Sequence, residues 1–244
     1  MDNAIYVALS RQMTLRRELD VTANNIANVD TAGFKVESLM VETDPQASAD
    51  PLDPSGPLKY VLDSGVARDF TQGALHQTDR PMDLGIEGQG FFRVQTPDGE
   101  RFTRDGRFTL TSDGRIATAS GATLQGDGGD IIIDPSKGQV AISADGVISQ
   151  GATRVGKVSV VDFPDQSALQ KEGDNLYSNT DNIQPSTSTS AVVHQGMLES
   201  SNVNPVLQVT KLIEVSRAYE SISKMMEQTA ELDRGAVQRL GRVA

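Results

Sequence analysis

The stretch IYVALSRQMTLRRELDVTANNIANVDTAGFK, Ile5 to Lys35, opens on an apolar pattern of helical period and closes on three asparagines, Asn24, Asn25 and Asn28. Ile5, Ala8, Gln12, Leu15, Leu19, Thr22, Ile26 and Val29 step by three and four, a heptad seam with polar interruptions. Such a span is about 25 residues, or ~37 Å of helix. Tyr6, Leu9 and Met13 run beside the seam and widen the stripe beyond a two-stranded contact. Asparagine is a poor helix former, because its side chain competes for nearby backbone groups. Amides at this point therefore either cap a fraying end or fix packing register, since a buried amide must find a partner. Asn24 and Asn28 lie four apart on one face, and Ala23 and Ala27 leave room beside them. Gly33 permits the turn that takes the chain away.

The far end mirrors the first. Asn204-Pro205 reads as a helix start, with Asn as N-cap and Pro at the first helical position. Leu212, Val215, Tyr219, Ile222 and Met226, then Ala236 and Leu240, keep the seam spacing, and Val209, Ile213 and Met225 add a second stripe. Gly241 would follow the last turn. Two amphipathic helices can close on each other as a hairpin within one molecule. The width of the stripes favours a further contact, with helices of other copies.

Between the arms the pattern changes. TDPQASADPLDPSGPLKY, Thr43 to Tyr60, holds four prolines and reads as a linker, and GVARDFTQGALHQT after it reads as a short strand pair. From Pro81 to about Gln195 the period is two with frequent turns. Asp-Gly at 98–99, 105–106 and 113–114 marks hairpins, and Phe91, Phe92, Phe102, Phe108, Leu110 and Ile116 can face inward. The run 175–192 is polar and loop-like. The fold expected is α+β: long N- and C-terminal helices packing as a coiled-coil arm, with a central all-β barrel or sandwich inserted between them. The expected divisions are an N-terminal arm over 1–35, a linker or hairpin region over 36–78, a β-rich domain over 79–196 and a C-terminal arm over 197–244.

The chain has 244 residues, a formal net charge of -11 and a pI near 4.6. That balance argues against nucleic acid as a partner, because phosphate binding needs clustered Lys and Arg. The excess is local. Residues 1–35 carry four basic and four acidic side chains and 201–244 carry six and five, so the surplus acid lies between. Nearly neutral ends can approach their own copies without strong repulsion. Cysteine is absent, which removes disulfides and thiol chemistry. No apolar run is long enough to insert in a membrane, and the charged N-terminus does not read as a secretory signal.

Little points to bond chemistry. His76 and His194 stand apart from any nucleophile or metal spacing, and GIEGQG (85–90) has the wrong glycine order for a dinucleotide loop. GDGGD (126–130) reads as a turn. Asp83 and Glu87 are the carboxylates that a sugar hydrolase would use, but two acids in an acid-rich chain decide nothing. Neither a cofactor nor a metal is expected.

ANNIANVDTAGFK near the start, DLGIEGQGFFRVQTPDGERFTRDGRFTL in the middle and LESSNVNPVLQVTKLIEVSRAYE near the end together resemble the flagellar axial proteins, the rod and hook subunits. The length and the opening MDNAIYVALSRQ are more similar to a rod member than to the usually much longer hook subunits. The resemblance implies an inner tube of helices around an axis, a β-rich body outside it, and a linker bridging neighbours. The residues expected at the assembly interface are Ile5, Leu9, Leu15, Leu19, Asn24, Asn25, Ile26, Asn28, Gly33 and Phe34 from the first arm. From the second they are Leu212, Val215, Tyr219, Ile222 and Met226. It implies as partners other copies and other rod proteins, with delivery by the flagellar export apparatus to a basal body that crosses the periplasm. One departure is local: Asp79-Arg80-Pro81 stands where family members often have a Thr-Gly turn. A monomeric binding module carried on a helical handle is the competing reading.

Overall fold

The computed structural model describes residues 2–43 and 61–240. The proline-rich linker after Thr43, Gly241 and the side chains of Ile5, Ala236 and Leu240 lie outside what is described. Two compact units emerge. One is built from helix α1 (Asp2–Ala27), strands β1 (Glu37–Thr43) and β2 (Val61–Arg68), and helix α2 (Pro205–Leu240); the other from residues 28–36 and 69–203.

In the first unit α1 and α2 pack against each other antiparallel. The direction follows from the pairs across the contact: Gln12 Nε2 donates to Ser223 Oγ at 3.0 Å, and the Lys211 ammonium stands 3.2 Å from Glu18. The heptad seam supplies the inward face. Ala8, Leu15, Thr22 and Val215 are buried, and Leu19, Ile26, Leu212, Tyr219, Ile222 and Met226 are half-buried. The first arm, drawn over 1–35, is helical only to Ala27, and the second, drawn over 197–244, becomes helical at Pro205. There Asn204 caps the helix, its Oδ1 accepting from the amides of Val206 and Leu207 at 3.1 and 3.3 Å. A cap of this kind is worth roughly 1 kcal/mol. β1 and β2 form an antiparallel hairpin that packs on α1, with a bulge at Met40/Val41.

The second unit is antiparallel throughout its named pairings. Its largest sheet runs, in spatial order, Leu169–Gly173, Leu176–Asn179, Gly99–Thr103, Phe91–Thr96, Thr123–Gly126, Ile116–Thr118 and Phe108–Leu110. Adjacent strand residues face opposite sides, so Phe91 and Phe92 enter different cores. Phe92 and Val94 join Phe108, Ile116, Leu124 and Ile148. Phe91 joins Phe102, Phe163 and Tyr177, with Phe70 at the edge, in a set of edge-on rings whose centroids lie 4.8–6.2 Å apart. Edge-to-face pairs add about 0.5–1.5 kcal/mol each beyond burial.

Three local readings need correction. The stretch GVARDFTQGALHQT is not a strand pair with itself: β2 pairs with β1, and Leu75–Gln77 pairs with Met197–Glu199. The polar run 175–192 contains the strands Leu176–Asn179 and Ser186–Thr187. Asp-Gly at 105–106 is no ordinary hairpin turn either. Gly106 has no positive φ, but a Cβ there would overlap the Leu84 carbonyl, whose own amide donates to Gly106 O at 3.0 Å. Gly106→Ala should therefore cost about 1–3 kcal/mol by overpacking, read as a lower denaturation midpoint at unchanged slope. An unchanged midpoint would show that the two backbones separate freely.

Candidate functional site

The interface residues expected from the sequence divide sharply by position. Leu15, Asn25, Gly33, Phe34 and Val215 are buried within the chain. Leu19, Ile26, Asn28, Leu212, Tyr219, Ile222 and Met226 are half-buried, while Leu9 and Asn24 are exposed. The stripe beside the seam behaves differently. Tyr6, Leu9 and Met13 on α1, and Val206, Leu207, Val209, Ile213, Met225 and Leu232 on α2, all stand in solvent. Ile213 is 47% exposed and Leu232 73%. The heptad positions are thus covered within this unit, and a second apolar surface stays open. Apolar residues at i, i+3 and i+7, such as Val206, Val209 and Ile213, form a contiguous strip that a further helix can cover.

The asparagine cluster has one fully buried member, Asn25, between the two picked out by face sharing. Its Nδ2 donates to the Glu37 carbonyl at 2.7 Å and to Gln208 Oε1 at 3.3 Å, and its Oδ1 accepts from the Glu37 amide at 2.9 Å. The side-chain amide stands in for a ladder partner at the first residue of β1 and joins α1, β1 and α2. These partners all belong to its own chain. Asn28 Oδ1 accepts from the Thr31 hydroxyl at 3.2 Å, in the turn leaving the helix. Asn25→Ala would strand both Glu37 backbone groups, at about 1–3 kcal/mol. The check is amide exchange at Glu37, which should accelerate while helix content holds; unaltered protection would refute the clamp.

A second arrangement was not legible. In the β-rich unit Lys35, Arg104 and Glu199 are all buried and meet as a triad. Lys35 Nζ lies 2.6 Å from Glu199 Oε1, and Arg104 Nη1 lies 3.0 Å from Glu199 Oε2. Further bonds surround the triad: Lys35 also donates to the Thr71 carbonyl, Gly73 N donates to Glu199 Oε1, and Arg104 Nη2 donates to the Gly88 carbonyl. Burial pushes the Lys35 ammonium below its usual pKa, and the Glu199 carboxylate pulls it back up. Asn202 completes the junction, accepting from the Val36 amide at 2.8 Å and donating to the Asp69 carbonyl at 2.8 Å. Gly33 belongs here too. Its φ is +68°, its amide donates to the Glu199 carbonyl at 2.8 Å, and a Cβ would overlap the Arg104–Asp105 backbone. The motifs TAGFK, FTRDG and LESSNVN thus meet at one point. Their spacing along the chain hid this, since Lys35 and Glu199 are 164 positions apart.

The two carboxylates weighed for hydrolysis are each engaged nearby. Asp83 takes a bidentate bond from Arg80 at 2.8 and 3.0 Å, and Glu87 Oε2 lies 2.7 Å from His194 Nε2. The GDGGD stretch is the turn between Thr123–Gly126 and Gly129–Asp130. Among the described residues no helix is long and apolar enough to cross a membrane, and no group of three or more His, Cys, Asp or Glu could hold a metal ion.

Three protein families match parts of this chain. That described as "Flagella basal body rod protein" matches residues 5–35, "Flagellar hook protein FlgE/F/G D1 domain" residues 85–150, and "Flagellar basal body rod FlgEFG protein C-terminal" residues 194–239. The chain is 58% identical over 244 residues to the flagellar basal-body rod protein FlgF of Caulobacter vibrioides, covering all of both chains. It is 35% identical to FlgF of Mesorhizobium japonicum over 99% of each. With FlgG of Buchnera aphidicola from Schizaphis graminum it shares 34% over 88% of this chain and 90% of the other. These are families of structural rod proteins and not of enzymes, and the chain belongs to the flagellar basal-body rod protein family, among its FlgF members.

Proposed function

We propose that this chain is a subunit of the proximal rod of the bacterial flagellar basal body and polymerises through its terminal helices into a shaft that carries motor torque across the periplasm. The helices Asp2–Ala27 and Pro205–Leu240 form a tube, packing as coiled coils with the helices of neighbours. The antiparallel pair β1 and β2, packed on α1, bridges adjacent subunits. The subunit reaches the rod through the flagellar export apparatus, and its neighbours are copies of itself and other rod proteins.

The observation that carries this reading is the open apolar strip left on α1 and α2 after they have packed together. A surface of one molecule that meets a different surface of the next, without closing, builds a helical filament. Stiffness then comes from packed side chains, and no bond is made or broken. The FlgG likeness is the ground for the neighbouring reading, a distal-rod or hook-type place in the same structure; the higher identity to FlgF favours the proximal one.

Deletion of the chain from a motile cell should leave basal bodies whose rod stops short, as seen by electron microscopy, and cells that do not swim. A wild-type copy should restore both. Complete rods in the deletion strain would overturn the assignment.

A further inference from the structure

We propose that Met13 and Met225 form an oxidisable patch through which a hydroperoxide-type oxidant blocks assembly of this subunit; the proposal rests on the helix-face reading above. Of the seven methionines in the chain, three are exposed among the described residues: Met13 at 67%, Met40 at 46% and Met225 at 51%. All three lie in the helix-and-hairpin unit. Met82 packs against the larger β core, and Met197 and Met226 are half-buried. Met13 and Met225 occupy the same end of the antiparallel helix pair, since the Gln12–Ser223 bond joins positions one and two residues from them. Met13 extends the Tyr6–Leu9 strip, and Met225 lies seven residues before Leu232 on one α2 face.

The chemistry is a two-electron oxygen transfer. The thioether sulfur attacks one peroxide oxygen, the O–O bond breaks and an S=O bond forms. Sulfur is oxidised to the sulfoxide, and the hydroperoxide is reduced to water or an alcohol that carries the departing proton. An apolar, adaptable side chain becomes a polar one. Covering that S=O with a neighbour's apolar strip leaves an acceptor unsatisfied, which weakens association by roughly tenfold or more. A helix face closed by leucine would lack this sensitivity.

The test uses the full chain and hydrogen peroxide. Peptide mass spectrometry over time should show Met13, Met40 and Met225 oxidising several-fold faster than Met82, Met197 and Met226. Sedimentation of the oxidised chain should require at least about tenfold more protein to associate than the untreated chain. The Met13→Leu/Met225→Leu double variant should associate equally well with and without peroxide, and methionine sulfoxide reductase should restore the oxidised wild type. An untreated chain that associates, with an oxidised chain that matches it or a double variant that is equally inhibited, overturns the oxidation proposal alone. An untreated chain that stays monomeric at every concentration overturns the helix-face reading and this proposal with it.

Discussion

Glu199→Gln should destabilise the β-rich unit by about 3–5 kcal/mol. The carboxylate is the shared partner of two buried cations, Lys35 and Arg104. Its removal leaves both without the anion that offsets their desolvation, and a glutamine carbonyl is a weaker acceptor for either. The triad is unbalanced, so its members are not equivalent. Lys35→Met removes the surplus cation and leaves a one-to-one Arg104–Glu199 pair, and it should cost at most about 1–2 kcal/mol. Denaturant midpoints of the two variants decide the matter. Equal losses would mean that the junction acts by shape and not by charge.

Val209→Asp with Ile213→Asp should raise the concentration needed for assembly by at least about a hundredfold, ~2.7 kcal/mol. Both side chains stand in solvent in the single subunit, so the folded subunit should lose no more than ~0.5 kcal/mol. In a packed shaft each carboxylate would be buried without a cation. Leu15→Ala makes the opposite prediction: Leu15 is 1% exposed, and its truncation should cost about 2–5 kcal/mol of subunit stability. Sedimentation and thermal unfolding on the same preparations separate the two effects. A double Asp variant that assembles and supports swimming normally would remove the strip from the interface.

The helices, and the start of the second, could be read from the chain because their signals are local. The three-and-four spacing of Leu15, Leu19 and Ile26, and the Asn204-Pro205 start, each lie within a few turns of the groups they act on. The wide stripe was also visible. What its two halves do was not, because periodicity alone cannot tell which apolar face a helix gives to its own partner helix. The seam residues went inside and the flanking Tyr6, Leu9, Met13, Val209 and Ile213 stayed out.

The amides show the same limit. Asn24 and Asn28 were picked out because they share a face, yet the buried one is Asn25, whose partner is the backbone of Glu37, twelve positions on. The charged junction lay further from view. Lys35, Arg104 and Glu199 each look like an ordinary solvated side chain, and only the fold brings them together. Asp79, in the turn that differs from the common family pattern, has a φ of +58°, a conformation that glycine adopts without strain. The Pro-spaced stretch after Thr43 gave composition and nothing about placement.

The central claim is that the apolar strip left open on the two helices is covered by neighbouring rod subunits. The chain has no cysteine, so a single introduced thiol carries a probe at one known place. Met13→Cys or Ile213→Cys, labelled with a benzophenone maleimide and irradiated within intact basal bodies, should give products joined to another rod subunit. Label at the inward Leu15→Cys position should join residues of its own chain. Adducts confined to the same chain or to solvent at positions 13 and 213 would contradict the account.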